Sequence, residues 1–449
     1  MRWLVCFAAL GGLHTQAAAV SLLDLYAKAQ ASEPSYQSAI ANLQAAAAKR
    51  QQAFGGLLPQ VSINASTNEN ARDYKTRNSL IPPASDEYGS ETATINFTQA
   101  VFRPANLYAF KQSNNVLLQA EQELRAAQQG LILNLSVAWF EWLAAMDARW
   151  LADRKLAFAS RELALTDRGH ALGVYSHVEL DLALAKQELA SAEFESAQVE
   201  VEVKKAEIER LTGEFDAPAV PSLNKNVADP VQPGQTMEQV VAEIQLNNPQ
   251  FLAAQQAVYA AAQEISKQRA GHAPTLDWVI SHGKNSQGVG GFPGQFGYDI
   301  TTTSSGLQLN VPLFSGGSVQ GKVNEALAQR NKASADLTGA LRQARFGIKQ
   351  AWFALISARA KSKAARQNRL AASTAYQQAK RSAELGVDSE LAVLKAEQDM
   401  VSAENDFNKS KYDQWLAWIR LKAGAGMLGQ ADIDMLQRLM VYPQGPTHP

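Results

Sequence analysis

The stretch GGLLPQVSINAS, residues 55–66, changes periodicity at its single proline. Upstream, QSAIANLQAAAAKRQQAF is built from Ala, Gln, Leu, Lys and Arg, which lose little on becoming helical. Beyond Pro59, Val61, Ile63 and Ala65 alternate with Ser62, Asn64 and Ser66, the period of a strand with two unlike faces. Proline has no N–H and pushes Leu58 toward extended backbone, so the spacing predicts a helix ending and a strand beginning here.

The same punctuation recurs. Pro34 and Pro59 are 25 residues apart, and so are Pro249 and Pro274. Phe102 is matched by Phe314, 212 residues on. Ala138-Trp139-Phe140 is matched by Ala351-Trp352-Phe353, and Leu172-Gly173-Val174 by Leu385-Gly386-Val387, each at a separation of 213. Ordered recurrence of five landmarks predicts an internal duplication. Each half then reads as helix, strand, polar loop, strand and two long helices. The expected strands are 60–69, 91–102, 275–284 and 302–312, and the expected long helices 105–168, 177–212, 318–382 and 390–423. A 60-residue helix would run about 90 Å, at roughly 1.5 Å per residue. Their Ala-rich runs, such as DLALAKQELASAEFESA, suit close helix packing of the coiled-coil kind.

Gly173 and Gly386 sit where the two long helices of each half must turn, because glycine tolerates positive φ. Ser176 and Ser389 follow as helix caps. Glu179 completes a capping box in the first hairpin, whereas Ala392 leaves a simple cap in the second. Pro59, Pro104, Pro274 and Pro312, with Gly316 and Gly317, mark the expected junctions of strand and helix.

Composition narrows the function. The 42 Lys and Arg against 43 Asp and Glu, with no basic run, give no nucleic-acid surface. The first residues, MRWLVCFAALGGLHTQAAA, read as a secretory leader cut after Ala19. Cys6, the only cysteine, falls inside it, so no disulfide framework or thiol nucleophile is expected in the exported chain. The apolar run at 131–146 is interrupted by Asn134, Ser136 and Glu141 and reads as a packed helix. Any membrane-spanning part must then be strand, though alternation alone fits a sheet with one wet face equally well.

No catalytic constellation is legible, and the chain is read as not an enzyme. Gly316 to Lys322 match GxxxxGK, but Val323 follows where a phosphate loop needs Ser or Thr, so the glycines read as a bend and no cofactor is expected. His170 and His177 straddle the first turn without forming a metal-ligand series, and no metal site is assigned.

Taken together, LLPQVSINAS, FTQAVF with its following Pro104, LQLNVPLFSGG, the two LGV turns, RLTG at 210–213 and AGAGML at 423–428 resemble the TolC family of outer-membrane efflux and secretion channels. The resemblance spans about residues 20–430. It implies an α+β fold in which three copies each lend four strands to one membrane barrel and continue into the periplasm as long helical hairpins. It also implies a division into a leader at 1–19, a first repeat at 20–213, an equatorial segment at 214–235, a second repeat at 236–423 and an equatorial or flexible end at 424–449. The implied function is a passive export conduit of the bacterial outer membrane, serving type I protein secretion, small-molecule efflux or both. Its implied partners are outer-membrane lipid, a periplasmic adaptor and an energised inner-membrane transporter of the ABC or proton-driven kind. The alternative is a periplasmic scaffold that forms no channel. The family's periplasmic aperture lies at the hairpin tips, which here carry Glu179, Asp181, Asp388 and Glu390. Ala392 and Lys395 stand where prominent members carry gate aspartates, so an aspartate ring is not transferred.

Overall fold

A computed structural model describes residues 21–75, 77, 84–216, 220–223, 230, 236–290 and 296–441. The leader read at 1–19 lies outside these residues, as do 217–219, 224–229 and 231–235 of the inter-repeat segment and the end after residue 441. The elements are helices α1 (Leu22–Ser32) and α2 (Pro34–Gly55), strands β1 (Gln60–Tyr74) and β2 (Ala84–Phe102), then α3 (Pro104–Ala171) and α4 (His177–Thr212). After a two-residue strand β3 (Ser222–Leu223) come α5 (Met237–Ala242), α6 (Ile244–Asn247) and α7 (Pro249–Arg269). Strands β4 (Thr275–Gln287) and β5 (Tyr298–Asn310) precede α8 (Ser318–Glu384), α9 (Glu390–Gly424), α10 (Gln430–Arg438) and β6 (Met440–Val441). Pro34, Pro104 and Pro249 each open a helix, where the missing N–H has no intrahelical partner to lose.

All four long strands differ in extent from the sequence reading. β1 continues past residue 69 to Tyr74, β2 begins at Ala84 rather than 91, and β4 reaches Gln287. The polar ends of these strands read as loop, yet they complete a ladder whose register runs from Gln60↔Thr98 to Tyr74↔Ala84. β5 starts earlier, at Tyr298, and stops at Asn310 instead of residue 312. The early stop has a physical cause: Pro312 cannot donate to a ladder, and it restrains Val311 as well.

The chain divides into two units. One is drawn from Met1–Ile40, Glu123–Phe251 and Leu341–Pro449. Its core is a cluster of side chains from α1, α3, α4, α9 and α10, with Trp139, Phe140, Leu143, Ile208, Tyr412 and Ile419 among them. The apolar run at 131–146 is therefore core: Leu131, Ile132, Leu135, Trp139 and Trp142 are all buried in that cluster. Polar links order the helices. Lys155–Glu193 (3.1 Å) and Lys186–Glu162 (2.6 Å) join α3 to α4. Arg161–Glu397 (3.8 Å) and the Tyr412 hydroxyl donating to Asp147 (2.9 Å) join α3 to α9, and Arg369–Glu404 (3.5 Å) joins α8 to α9. Neighbours thus run α4, α3, α9, α8, with α4 and α8 on the flanks. Burial, and secondarily the Asp147 carboxylate, pushes the Tyr412 phenol far above its ordinary value, so it stays a donor.

The other unit comprises Ala41–Gln122 and Leu252–Ala340. It holds a four-stranded antiparallel sheet in the order β1-β2-β4-β5. β1 and β5 are its edges, and among the described residues neither has a second partner strand.

Candidate functional site

The strand entries are built by polar clamps. Pro59 lies between the end of α2 and the start of β1, and Pro274 immediately precedes β4. The Asn106 amide donates to the Gly56 carbonyl (2.6 Å), and Gln99 donates to that of Leu57 (3.1 Å), which satisfies the frayed end of α2. Only Arg103 separates β2 from Pro104 at the start of α3. Its guanidinium grips Asp277 of β4 in a two-point pair, Nε to Oδ1 at 2.8 Å and Nη2 to Oδ2 at 2.6 Å. Asp277 is buried, so the fork supplies donors that water cannot. Sequence reading missed this pair, because nothing in the spacing of residues 103 and 277 marks them as neighbours. The second exit is unlike the first. Residues 311–317 link β5 to α8 through Pro312, Gly316 and Gly317, with φ of +61° and +79° at the glycines. The N–H groups of Ser318 and Gly321 already donate to the carbonyls of Ser315 and Gly317 (3.1 and 3.0 Å), so this turn serves as a bend.

The sheet has two chemically distinct faces. Register places Val61 opposite Phe97, Ile63 opposite Ile95 and Ala65 opposite Ala93. It carries the series on to Ile280 beside Phe97, and to Leu307 and Leu309 beside Trp278 and Leu276. These share one face, on which Phe97 and Trp278 meet edge to face at 5.7 Å. The other face carries Ser62, Asn64, Thr94, Asn96, Ser281 and Ser304. Ile63, Ile95, Leu307 and Leu309 are exposed within the chain. Contiguous apolar surface on a sheet whose edges are also open calls for lipid on the face and another strand at the edge.

The two hairpin turns share one geometry. Gly173 and Gly386 both have φ of +74°. Val174 donates to the Gly169 carbonyl (2.8 Å) and Val387 to that of Ser382 (2.9 Å), closing each helix by the same left-handed motif. Leu172, Val174, Leu385 and Val387 remain exposed at the apices. Their returning helices are capped unequally. Ser176 accepts from the Glu179 N–H (3.3 Å), while the Glu179 carboxylate accepts from the Ser176 N–H (2.7 Å) and hydroxyl (2.9 Å). Ser389 accepts from Ala392 (3.2 Å) with no carboxylate to reciprocate.

The charged tip residues do not pair with one another. Glu179 is engaged by its cap, and Asp181 accepts from or pairs with His177 Nδ1 at 3.0 Å. His170 and His177 meet as rings 5.8 Å apart, edge to face. Asp388 and Glu390 are exposed, and among the described residues neither carboxylate has an ion-pair partner within the chain. Bonds from the Ser176 backbone, then its hydroxyl, hold the Glu179 carboxyl below its ordinary value of 4.5. A carboxyl depressed by folding stabilises the cap fully above its unfolded value, and that stabilisation fades as pH falls through the folded value. Protection of the Ser176 amide, taken relative to the intrinsic exchange rate at each pH, is expected to fall on acidification in that range, while the Ser389 hairpin, lacking the carboxylate, shows no matching step. Ser176→Ala is expected to destabilise its helix end by about 1 kcal/mol, read as faster exchange at residues 177–180, and equal responses of both hairpins would remove the distinction.

Comparison with known proteins adds a family to this geometry. The profile of the outer membrane efflux protein family matches residues 25–214 and 240–427. The outer membrane protein TolC of Vibrio cholerae is 25% identical over 429 residues, covering 95% of each chain. The alkaline protease secretion protein AprF of Pseudomonas aeruginosa is 27% identical over 441 residues, covering 97% of this chain and 90% of that one. Among solved structures, the CmeC outer membrane channel of Campylobacter jejuni superposes with a TM-score of 0.75 at 16% identity, covering 93% of this chain and 89% of that one. The fold is accordingly the α+β fold of these channels, and the chain belongs to the outer membrane efflux protein family.

Proposed function

We propose that three copies of this chain close into one passive export channel. The family is one of outer-membrane channel proteins rather than enzymes, and its place is the outer membrane. In this reading each copy lends β1, β2, β4 and β5 to a shared barrel, β5 of one copy pairing with β1 of the next. The observation that carries it is the sheet: two open edges and one exposed apolar face are unsatisfied in a single chain. Closure pairs the edges, lipid covers the apolar face, and the Ser, Thr and Asn face lines a wet interior. The two similar halves, residues 20–213 and 236–423, supply one strand pair and one helical hairpin each, with 214–235 and 424–449 as the equatorial segments between and after them.

Energy comes from an inner-membrane transporter, of ABC or proton-driven type, reached through a periplasmic adaptor that meets the hairpin tips. Exported proteins, small molecules or both are the cargo, a reading supported by the secretion and efflux proteins among its relatives. Glu179, Asp181, Asp388 and Glu390 would ring the periplasmic aperture and favour cations. Outer-membrane fractionation followed by planar-bilayer recording tests the channel: discrete conductance steps from a detergent-stable trimer are expected, and a monomer without conductance would overturn it. Glu179→Gln and Asp388→Asn channels are expected to lose cation preference, and unchanged selectivity in both would remove the charged aperture while leaving the channel. Drug accumulation and secreted protein, measured in parallel after deletion, separate the two cargoes.

A further inference from the structure

Formal charge nearly cancels across the chain, yet it is sharply sorted between the two flanking helices. α4 carries nine Asp and Glu against four Lys and Arg, whereas α8 carries ten Lys and Arg from Arg342 to Arg381 and no acid between them. On α4 the acids fall in a heptad stripe: Asp181, Glu188, Glu195, Glu202 and Glu209. Beside that stripe Leu182, Leu189, Val199 and Val203 are exposed, with Ala185 and Ala192 between them. This is an apolar seam flanked by charge at coiled-coil spacing, and it is separate from the face that α4 buries with Ala183, Ala190, Val201 and Ile208. The chain leaves it without a helix partner.

α8 presents the matching surface. Phe346, Phe353, Ile356 and Leu370 are exposed along it, and Lys361, Lys363, Lys380 and Arg381 are exposed with no acidic partner in the chain among the described residues. α4 and α8 stand at opposite flanks, and among the described residues no hydrogen bond or ion pair joins them.

We infer that the occupant of the α4 seam is α8 of a second copy, and that the acidic stripe and the basic helix select this contact and set its register. The inference rests on the closed assembly proposed above and names the surface that closes its helical part. A head-to-tail contact repeated by rotation forms a ring, and rotation about an axis along the helices leaves each residue at its own height. Height can therefore be followed through the chain's own links. Lys155–Glu193 and Lys186–Glu162 place Glu202 beside α3 near Asp147; Asp147 meets Tyr412 of α9; and Arg369, which pairs with Glu404 and lies over the Phe407 ring at 4.3 Å, places Tyr412 level with residues 361–363 of α8. Glu202 of one copy thus lies level with Lys363 of the next, which shares the face of Ile356 and Leu370 seven residues to either side. Continuing toward the tip by the same register, Asp181 faces Lys380 and Arg381. α4 leaves the tip as α8 approaches it, so the two helices run antiparallel. Charges flanking an apolar seam choose partner and orientation more than they add affinity, which is the role assigned here.

Cross-linking tests the register directly, because Cys6 is the only native cysteine. The full chain carrying Glu202→Cys and Lys363→Cys is expected to form disulfides between copies, giving linked dimers and trimers on non-reducing gels. Glu202→Cys paired instead with Lys380→Cys, displaced by more than four turns along α8, is expected to give none. Independently, Glu202→Lys is expected to lower trimer yield in mild detergent severalfold, as a like charge replaces an opposite one. Adding Lys363→Glu is expected to restore it. A wild-type chain that is monomeric in detergent and silent in bilayers overturns the channel reading together with this interface. A conducting wild-type trimer that neither cross-links at 202 and 363 nor shows charge rescue overturns this interface alone.

Discussion

Ile95→Arg is expected to cost about 2–4 kcal/mol of membrane-folded stability, the range for a cation on the lipid face near the bilayer midplane. Ile95 sits midway along β2, between Ile63 of β1 and His282 of β4. It is exposed on the apolar face, and its polar cross-strand neighbour there, His282, is already held by the Thr303 hydroxyl at 2.7 Å, so a guanidinium would find no adjacent carboxylate among the described residues. Asn96→Arg is the matched control. One residue along the strand reverses the face, and Asn96 lies between Ser62 and Ser281 among groups that water can reach. Arginine at Asn96 should leave assembly close to wild type and shift ion selectivity instead. Urea unfolding from lipid bilayers and the fraction recovered in the outer membrane measure the first effect, and single-channel recording the second. Equal tolerance of both substitutions would mean that the apolar face does not meet lipid, and would return the sheet to a water-soluble role.

The faces themselves were legible in the sequence, because period-two alternation needs no tertiary information. Val61, Ile63 and Ala65 sort from Ser62, Asn64 and Ser66 by alternation alone. The turns were legible for a similar reason: a glycine needing positive φ and a serine cap with or without an acid three residues on are local chemistry. Strand ends were not. Asn70, Ala71, Arg72 and Asp73 look like loop, and they join β1 only because Tyr88, Glu87, Asp86 and Ser85 stand opposite them in the ladder. The Arg103–Asp277 pair was hidden for the same reason, since its partners are 174 residues apart. The family's habit of placing acids at the aperture pointed to Glu179, but its local role as a capping acid is what the geometry displays. The charge sorting between α4 and α8 was present in the sequence too. Only the helix order, which puts those two at the flanks, gives it meaning.

The repeated Ala-Trp-Phe triplet shows how far a sequence likeness can part from its environment. In α3, Ala138, Trp139 and Phe140 are all buried, Trp139 at 0% exposure. In α8, Trp352 is only half-buried and Phe353 is 60% exposed. Trp139→Ala is therefore expected to cost about 3–5 kcal/mol, the range for deleting a large aromatic from a core that cannot collapse around the gap. The indole lies 5.3 Å from that of Trp142, which in turn meets Phe215 edge to face at 5.1 Å. Its Nε1 is buried without a hydrogen-bond partner, so its contribution is packing alone. Trp139→Phe should then be mild, under about 1.5 kcal/mol, because a smaller aromatic replaces it and an unsatisfied N–H is removed. Trp352→Ala in the sister triplet should fall below Trp139→Ala, since that ring is only partly buried within the chain. Thermal unfolding of the detergent-solubilised protein, followed by near-ultraviolet circular dichroism, ranks the three. If Trp352→Ala equals Trp139→Ala in the intact trimer while Trp139→Phe stays mild, the α8 face is buried by a neighbouring copy, and the difference between the triplets belongs to the isolated chain alone.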